Sequence, residues 1–181
     1  MAATTTEEFS FGTQSTVQLA NQYDMSQSWT LSFDFTVSPA DQSKSLTILS
    51  TDGLKMIASS SPLLPRLYAV GQEVFKNDTN WKNGGTYTCT MVYDSAKAVL
   101  AIDWGTQSKT FSNVDFSSKV ISMFTTDLTN PSLGSGWGIS GGTFTGEVIA
   151  PNPDAPVVPE PTTATLSLLA LAGLAARRRR K

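Results

Sequence analysis

The sequence predicts an all-β protein, a two-sheet antiparallel sandwich followed by a Pro-rich linker and one short C-terminal transmembrane helix. Three observations predict it. Apolar and polar residues alternate at period two through most of the chain, short strand-like runs are separated by Gly, Asn and Asp turn signals, and no window before residue 162 sustains a helical period. The β region spans residues 9–149, enough for one sandwich with a full core.

Taken in order, residues 1–8 are polar and acidic and are expected to be disordered. Residues 9–19 (FSFGTQSTVQL) open the β region. Trp29, Leu31, Phe33, Phe35 and Val37 then alternate with Thr30, Ser32, Asp34 and Thr36, which gives one apolar and one polar face and predicts a half-buried strand. Residues 46–50 and 55–58 flank Thr51-Asp52-Gly53-Leu54, where Asp-Gly is a strong hairpin signal. Residues 66–70, 86–93, 99–104 and 109–112 continue the series, with turn chemistry at Asn83-Gly84-Gly85 and Asp94-Ser95-Ala96-Lys97. Residues 136–147 (GWGISGGTFTGE) follow, and the β pattern ends at Ile149.

From residue 150 to 161 the composition changes, with prolines at 151, 153, 156, 159 and 161. Such a segment cannot join a sheet interior and reads either as a stiff polyproline spacer, about 35 Å long at about 3.1 Å per residue, or as an unstructured linker. Residues 162–176 are an apolar run that would reach only about 22 Å as a helix, against about 30 Å of hydrocarbon core. Thr162, Thr163 and Thr165 suit the interfacial region at one end and arginine stems can snorkel at the other, so the segment can span with some mismatch. Arg177, Arg178, Arg179, Arg180 and Lys181 form a basic tail, which the positive-inside rule holds in the cytoplasm. Everything before about residue 160 is then placed across the membrane.

Pro159, Glu160 and Pro161, then the apolar run, then the basic tail, closely resemble the PEP-CTERM sorting signal of exported proteins in Gram-negative bacteria that build extracellular matrix. The resemblance implies processing near the motif by an exosortase-type membrane enzyme, a transient inner-membrane intermediate, and final placement at the outer surface or in the matrix. Its logic parallels the eukaryotic lipid-anchor signal, in which a transient hydrophobic tail is removed. An exported chain also needs an N-terminal leader with a charged start and an apolar core of about 7–15 residues. Residues 1–12 (MAATTTEEFSFG) do not read as one, so a leader is expected upstream or already removed.

Composition agrees with an extracytoplasmic life. The formal charge of −2 includes the five tail cations, and without them 8 basic residues face 15 acidic ones. That balance argues against a nucleic-acid partner, because phosphate contact needs a basic face. Cys89 is the single cysteine, so no internal disulfide forms, and its strand parity with Tyr87 and Met91 predicts a buried, inert thiol.

The β region carries a second resemblance. The segments FSFGTQSTVQL, WTLSFDFTV, LTILSTDG, GTYTCTMVYD, VLAIDWG and GWGISGGTFTGE look like successive strands of a concanavalin A-like or laminin G-like jelly roll. Such domains mostly bind glycans or proteins, and some relatives are glycosidases. Retaining hydrolysis needs two carboxylates about 5–5.5 Å apart, commonly placed by a Glu-x-Asp-x-Glu alternation on one strand. No such run is present: upstream of the sorting motif the glutamates are Glu7, Glu8, Glu73 and Glu147. With no histidine, neither a Ser-His-Asp triad nor a His-containing zinc site can be built. The chain is therefore expected not to be an enzyme and to have no catalytic residue.

The binding candidates are aromatic. Trp81, between Asn80 and Asn83, and Trp137, between Gly136 and Gly138, stand in loop-like sequence where an exposed ring could stack on a sugar and the amides could complete the hydrogen bonds. Tyr68 and Trp104 are weaker candidates, and all four could instead fill the core. No cofactor is expected, with calcium the one family-level possibility; Asp52, Asp94, Asp103, Asp127 and Asn130 could supply oxygen ligands, although no compact EF-hand-like alternation exists and most should serve turns. The functional expectation is an exported cell-envelope protein with a lectin-like domain for glycan binding or surface adhesion. A structural matrix component is the alternative, and a glycoside hydrolase a further one.

Overall fold

The computed structural model describes residues 3–37, 45–61, 64–76, 84–129 and 137–156. Among them are twelve strands: β1 (Thr4–Ser10), β2 (Thr16–Asp24), β3 (Trp29–Val37), β4 (Ser45–Thr51), β5 (Leu54–Ser61), β6 (Leu64–Ala69), β7 (Gln72–Lys76), β8 (Gly85–Asp94), β9 (Val99–Asp103), β10 (Ser108–Ser112), β11 (Val120–Thr125) and β12 (Gly138–Pro151). No helix of the described residues is long and apolar enough to cross a membrane. The apolar run 162–176, the motif at 159–161 and the basic tail at 177–181 lie outside the described residues.

Every pairing is antiparallel, and the strands form two sheets that share β12. The first sheet runs β10-β9-β8-β3-β12-β1 and the second runs β12-β2-β11-β4-β5-β6-β7. Residues 138–145 of β12 pair with β3, residues 141–147 with β1, and residues 148–151 with β2. A bulge between Ile139 and Gly141 and another between Val148 and Ala150 bend β12 from one sheet into the other. Gly141 and Gly142 are needed in this strand: a Cβ on Gly141 would stand 2.1 Å from Phe9 O, and one on Gly142 would stand 2.0 Å from Ser32 O.

The core follows from strand parity. Leu31, Phe33 and Phe35 of β3 face inward with Cys89, Met91 and Tyr93 of β8, and Phe9, Tyr23, Phe124 and Phe144 meet them from β1, β2, β11 and β12. Rings from the two sheets touch directly: Phe9 and Phe124 have centroids 4.6 Å apart, and Tyr23 and Phe144 4.9 Å. Each such side chain contributes about 1.5–3 kcal/mol by leaving water, so this aromatic layer is what holds the sheets face to face.

The predicted two-sheet sandwich is observed, with differences at its ends. Residues 4–8, expected to be disordered, belong to β1, because their Thr-rich backbone pairs along the Gly-rich edge of β12 and the Glu7 carboxylate accepts the Ala20 amide of β2 and the Tyr23 hydroxyl. The segment 9–19 is two strands, parted by a turn in which Gly12 takes φ 54. The last strand does not stop at Ile149 but continues to Pro151, which pairs with Asn21, so the sheet claims the start of the segment expected to be linker. A proline is tolerated there because it stands at the strand's end. Between β6 and β7 the two-residue turn is Val70-Gly71, with φ 46 and 73.

Candidate functional site

Of the residues expected to form a binding site, Trp81, Asn80, Asn83 and Trp137, Trp137 alone is among the described residues. Trp137 is buried, 7% exposed, because it precedes β12 on the same parity as Ile139 and both side chains point into the core. It offers no exposed stacking face. Trp104 is buried as well, at 1%. Trp81, Asn80 and Asn83 lie outside the described residues, as does the side chain of Tyr68.

The candidate calcium ligands are occupied with the fold. Asp103 Oδ1 accepts the Gly105 amide at 2.7 Å, Asp127 Oδ2 accepts the Thr47 amide at 2.8 Å, Asp94 receives Lys97 Nζ at 2.7 Å and Asp52 receives Lys119 Nζ at 3.2 Å. Asn130 lies outside the described residues, and among the described residues no group of three or more metal-binding side chains converges. Cys89 is fully buried and burial, helped by the Asp103 charge, pushes its thiol pKa upward, which makes it inert as expected.

What the fold does assemble is a polar groove on the outer face of the first sheet. The polar parity of β3 presents Ser32, Asp34 and Thr36, and the register sets Ser32 opposite Thr90, Asp34 opposite Thr88 and Thr36 opposite Thr86. Thr88 Oγ1 donates to Asp34 Oδ1 at 2.6 Å, while the hydroxyls of Ser32 and Thr90 lie 3.3 Å apart and those of Thr36 and Thr86 3.1 Å. On the other side of β3, Gly141 pairs with Asp34 and Thr143 with Ser32.

Two open depressions share Asp34. One, of about 330 Å³, is lined by Ser32, Asp34, Thr88, Gly141, Gly142 and Thr143. The other, of about 250 Å³, is lined by Asp34, Thr36, Thr86, Gly138 and Ser140. The glycines lower the floor on one flank, hydroxyls line much of the rest, and the buried Phe33 and Ile139 complete the lining of the first and second depression respectively. An exposed carboxylate surrounded by hydroxyls, with no large exposed apolar side chain lining either depression, suits a polyhydroxylated ligand better than an apolar one.

These residues are visible in the sequence only as the polar half of an alternation. Their signal is the run Thr30, Ser32, Asp34, Thr36 together with Thr86, Thr88, Thr90; the sequence lacks the register that places Gly141-Gly142 beside them.

Residues 157–181 match the PEP-CTERM protein-sorting motif. No curated protein matches the sequence. Among solved structures, the chain is similar to chicken Galectin 2 at 12% identity, covering 68% of this chain and 98% of that one with a TM-score of 0.41. It is similar to lectin II from Ulex europaeus at 11% identity, covering 80% and 83% with a TM-score of 0.44. A SAP-like pentraxin from Limulus polyphemus matches at 14% identity over 71% of this chain with a TM-score of 0.42, and the chain spans 64% of the pentraxin's length.

Proposed function

We propose that this is an exported, non-enzymatic envelope protein whose sandwich binds extended glycans in the groove around Asp34. The observation that carries the reading is the groove itself: a carboxylate, a set of hydroxyls from β3, β8 and β12, and a glycine floor open at the surface. The sorting motif at 157–181 supports export through an exosortase-type enzyme, with the inner membrane as a transient station and the outer surface or matrix of a Gram-negative cell as the destination. Trp81, Asn80 and Asn83, shortly before β8 in the sequence, remain proposed glycan contacts on their residue types.

The test is glycan-array binding by the chain shortened after Pro156, which retains every described strand, with calcium and again with chelator. Selective binding is expected, weakened about tenfold or more by Asp34→Ala, since a hydrogen bond to a charged group contributes about 1.5–3 kcal/mol. Trp81→Ala should weaken it further, and loss with chelator would assign a calcium ion to the site. A blank array under both conditions would refute glycan binding. A structural matrix role is the alternative, supported by the outer edges of β7 and β10, which pair with no strand among the described residues. It predicts concentration-dependent assembly that sugars do not alter.

A further inference from the structure

The sorting tail leaves the sandwich through a hydrogen-bonded clamp. The ladder between β2 and β11 skips from Tyr23–Ile121 to Gln18–Met123, which leaves Ser122 and the facing part of β2 unpaired with each other. Asn152, directly after β12 and 6% exposed, fills that gap. Its Nδ2 donates to Leu19 O at 2.8 Å, Ser122 O at 2.9 Å and Gln18 Oε1 at 3.3 Å, and its amide donates to Ala20 O at 2.8 Å. It also holds the residues just beyond it: Asp154 N donates to Asn152 Oδ1 at 3.1 Å and Ala155 N to Asn152 O at 3.2 Å.

From Ala155 to Pro159 the chain has four residues to cover, at most about 14 Å at full extension. The spacer of about 35 Å expected from composition is therefore not at the tail's disposal, since its first half is bonded to the domain. An enzyme that binds a substrate segment in extended form needs backbone free of competing hydrogen bonds. Resting on the sorting reading above, we infer that Asn152 is a positioning residue for processing. With the clamp closed, the residues up to Ala155 are bonded to the domain and withheld from the processing enzyme, and clamp opening limits the rate.

The test is pulse-chase conversion of precursor to processed protein in a cell that carries an exosortase-type enzyme. The full chain is compared with Asn152→Ala, with an insertion of about eight Gly/Ser residues after Pro156, which adds about 28 Å of reach and leaves the clamp intact, and with a chain ended at Pro156. Both the substitution and the insertion should convert about tenfold faster, the factor that 1.4 kcal/mol of clamp opening represents. Conversion of the insertion variant at the rate of the unmodified chain overturns the inference, and this holds even if Asn152→Ala is degraded before conversion. If the unmodified chain is not processed and the chain ended at Pro156 reaches the same destination, the sorting reading itself fails and the inference with it.

Discussion

Replacing Asn152 should destabilise the sandwich markedly, and the cost follows from its bonds. In Asn152→Ala two carbonyls, Leu19 O and Ser122 O, lose a donor at 2.8 and 2.9 Å, and Asp154 N loses its acceptor. A net hydrogen bond contributes about 1 kcal/mol and an orphaned buried acceptor costs about 1–3 kcal/mol, so the expected loss is about 2–4 kcal/mol. At about 2–4 °C per kcal/mol for a domain of this size, Tm should fall by about 5–15 °C. Asn152→Asp separates hydrogen bonding from shape. It conserves volume but sets an acceptor against Leu19 O and Ser122 O, so at neutral pH it should destabilise more than alanine does. Those acceptors favour the neutral form of the introduced carboxyl and raise its pKa above the unfolded value of about 3.9. The deficit is then smallest below that value, where a proton restores one donor, and grows as pH rises through the folded pKa. Urea denaturation of the chain shortened after Pro156, at neutral pH and near pH 3.5, measures both. A loss under about 0.5 kcal/mol for alanine, or an aspartate variant as stable as the parent, would refute the clamp.

Three further outcomes are expected. Gly142→Ala should abolish soluble folded protein, because its Cβ would stand 2.0 Å from the Ser32 carbonyl, whereas Gly12→Ala meets nothing within 4 Å and should cost only about 1–2 kcal/mol of left-handed backbone strain at φ 54; expression yield and thermal melts distinguish them. Cys89, whose thiol pKa is raised by burial, binds its proton more tightly folded than unfolded. Its contribution is therefore complete below the unfolded thiol value of about 8.5 and falls by about 1.36 kcal/mol per pH unit above it. Cys89→Ala should remove that slope from denaturation measured between pH 8.5 and 10. The Lys119–Asp52 ion pair is solvent-exposed at 42% and 50%, and Asp52→Asn should change stability by less than about 0.5 kcal/mol, a difference that vanishes in high salt.

Much of the fold is legible in the sequence because it is written in local alternation. The β3 run from Trp29 to Val37 and the Asp52-Gly53 hairpin appear where period and turn chemistry put them. Two strands are not legible in this way, for different reasons. β7 follows the turn Val70-Gly71, in which a β-branched valine takes φ 46, a conformation such residues rarely adopt, so the turn carries no signal. β11 is interrupted by its bulge at Ser122, which breaks the period that would have marked it. The misplaced end at Ile149 and the apparent disorder of residues 1–8 share one cause, since β1 and the end of β12 are ordered by each other and by β2 rather than by their own sequence.

The candidate site is less legible. Flanking glycines give Trp137 the look of a loop aromatic, yet its parity with Ile139 turns it inward. The groove residues Ser32, Asp34 and Thr88 look like an ordinary solvated face, because a polar alternation is the same whether it lines a groove or merely meets water.

By itself the sequence determined the features that depend on neighbours along the chain: the sorting motif at 157–181, the two faces of each strand, the Asp-Gly turn and the inert parity of Cys89. Only the tertiary structure decided that β12 serves both sheets, that Asp34 stands between Thr88 and Gly141, and that Asn152 closes the gap between β2 and β11. The physical reason is register. A period of two states which face a side chain occupies but not which residue it meets across the sheet, and that choice is made by packing between segments more than a hundred residues apart.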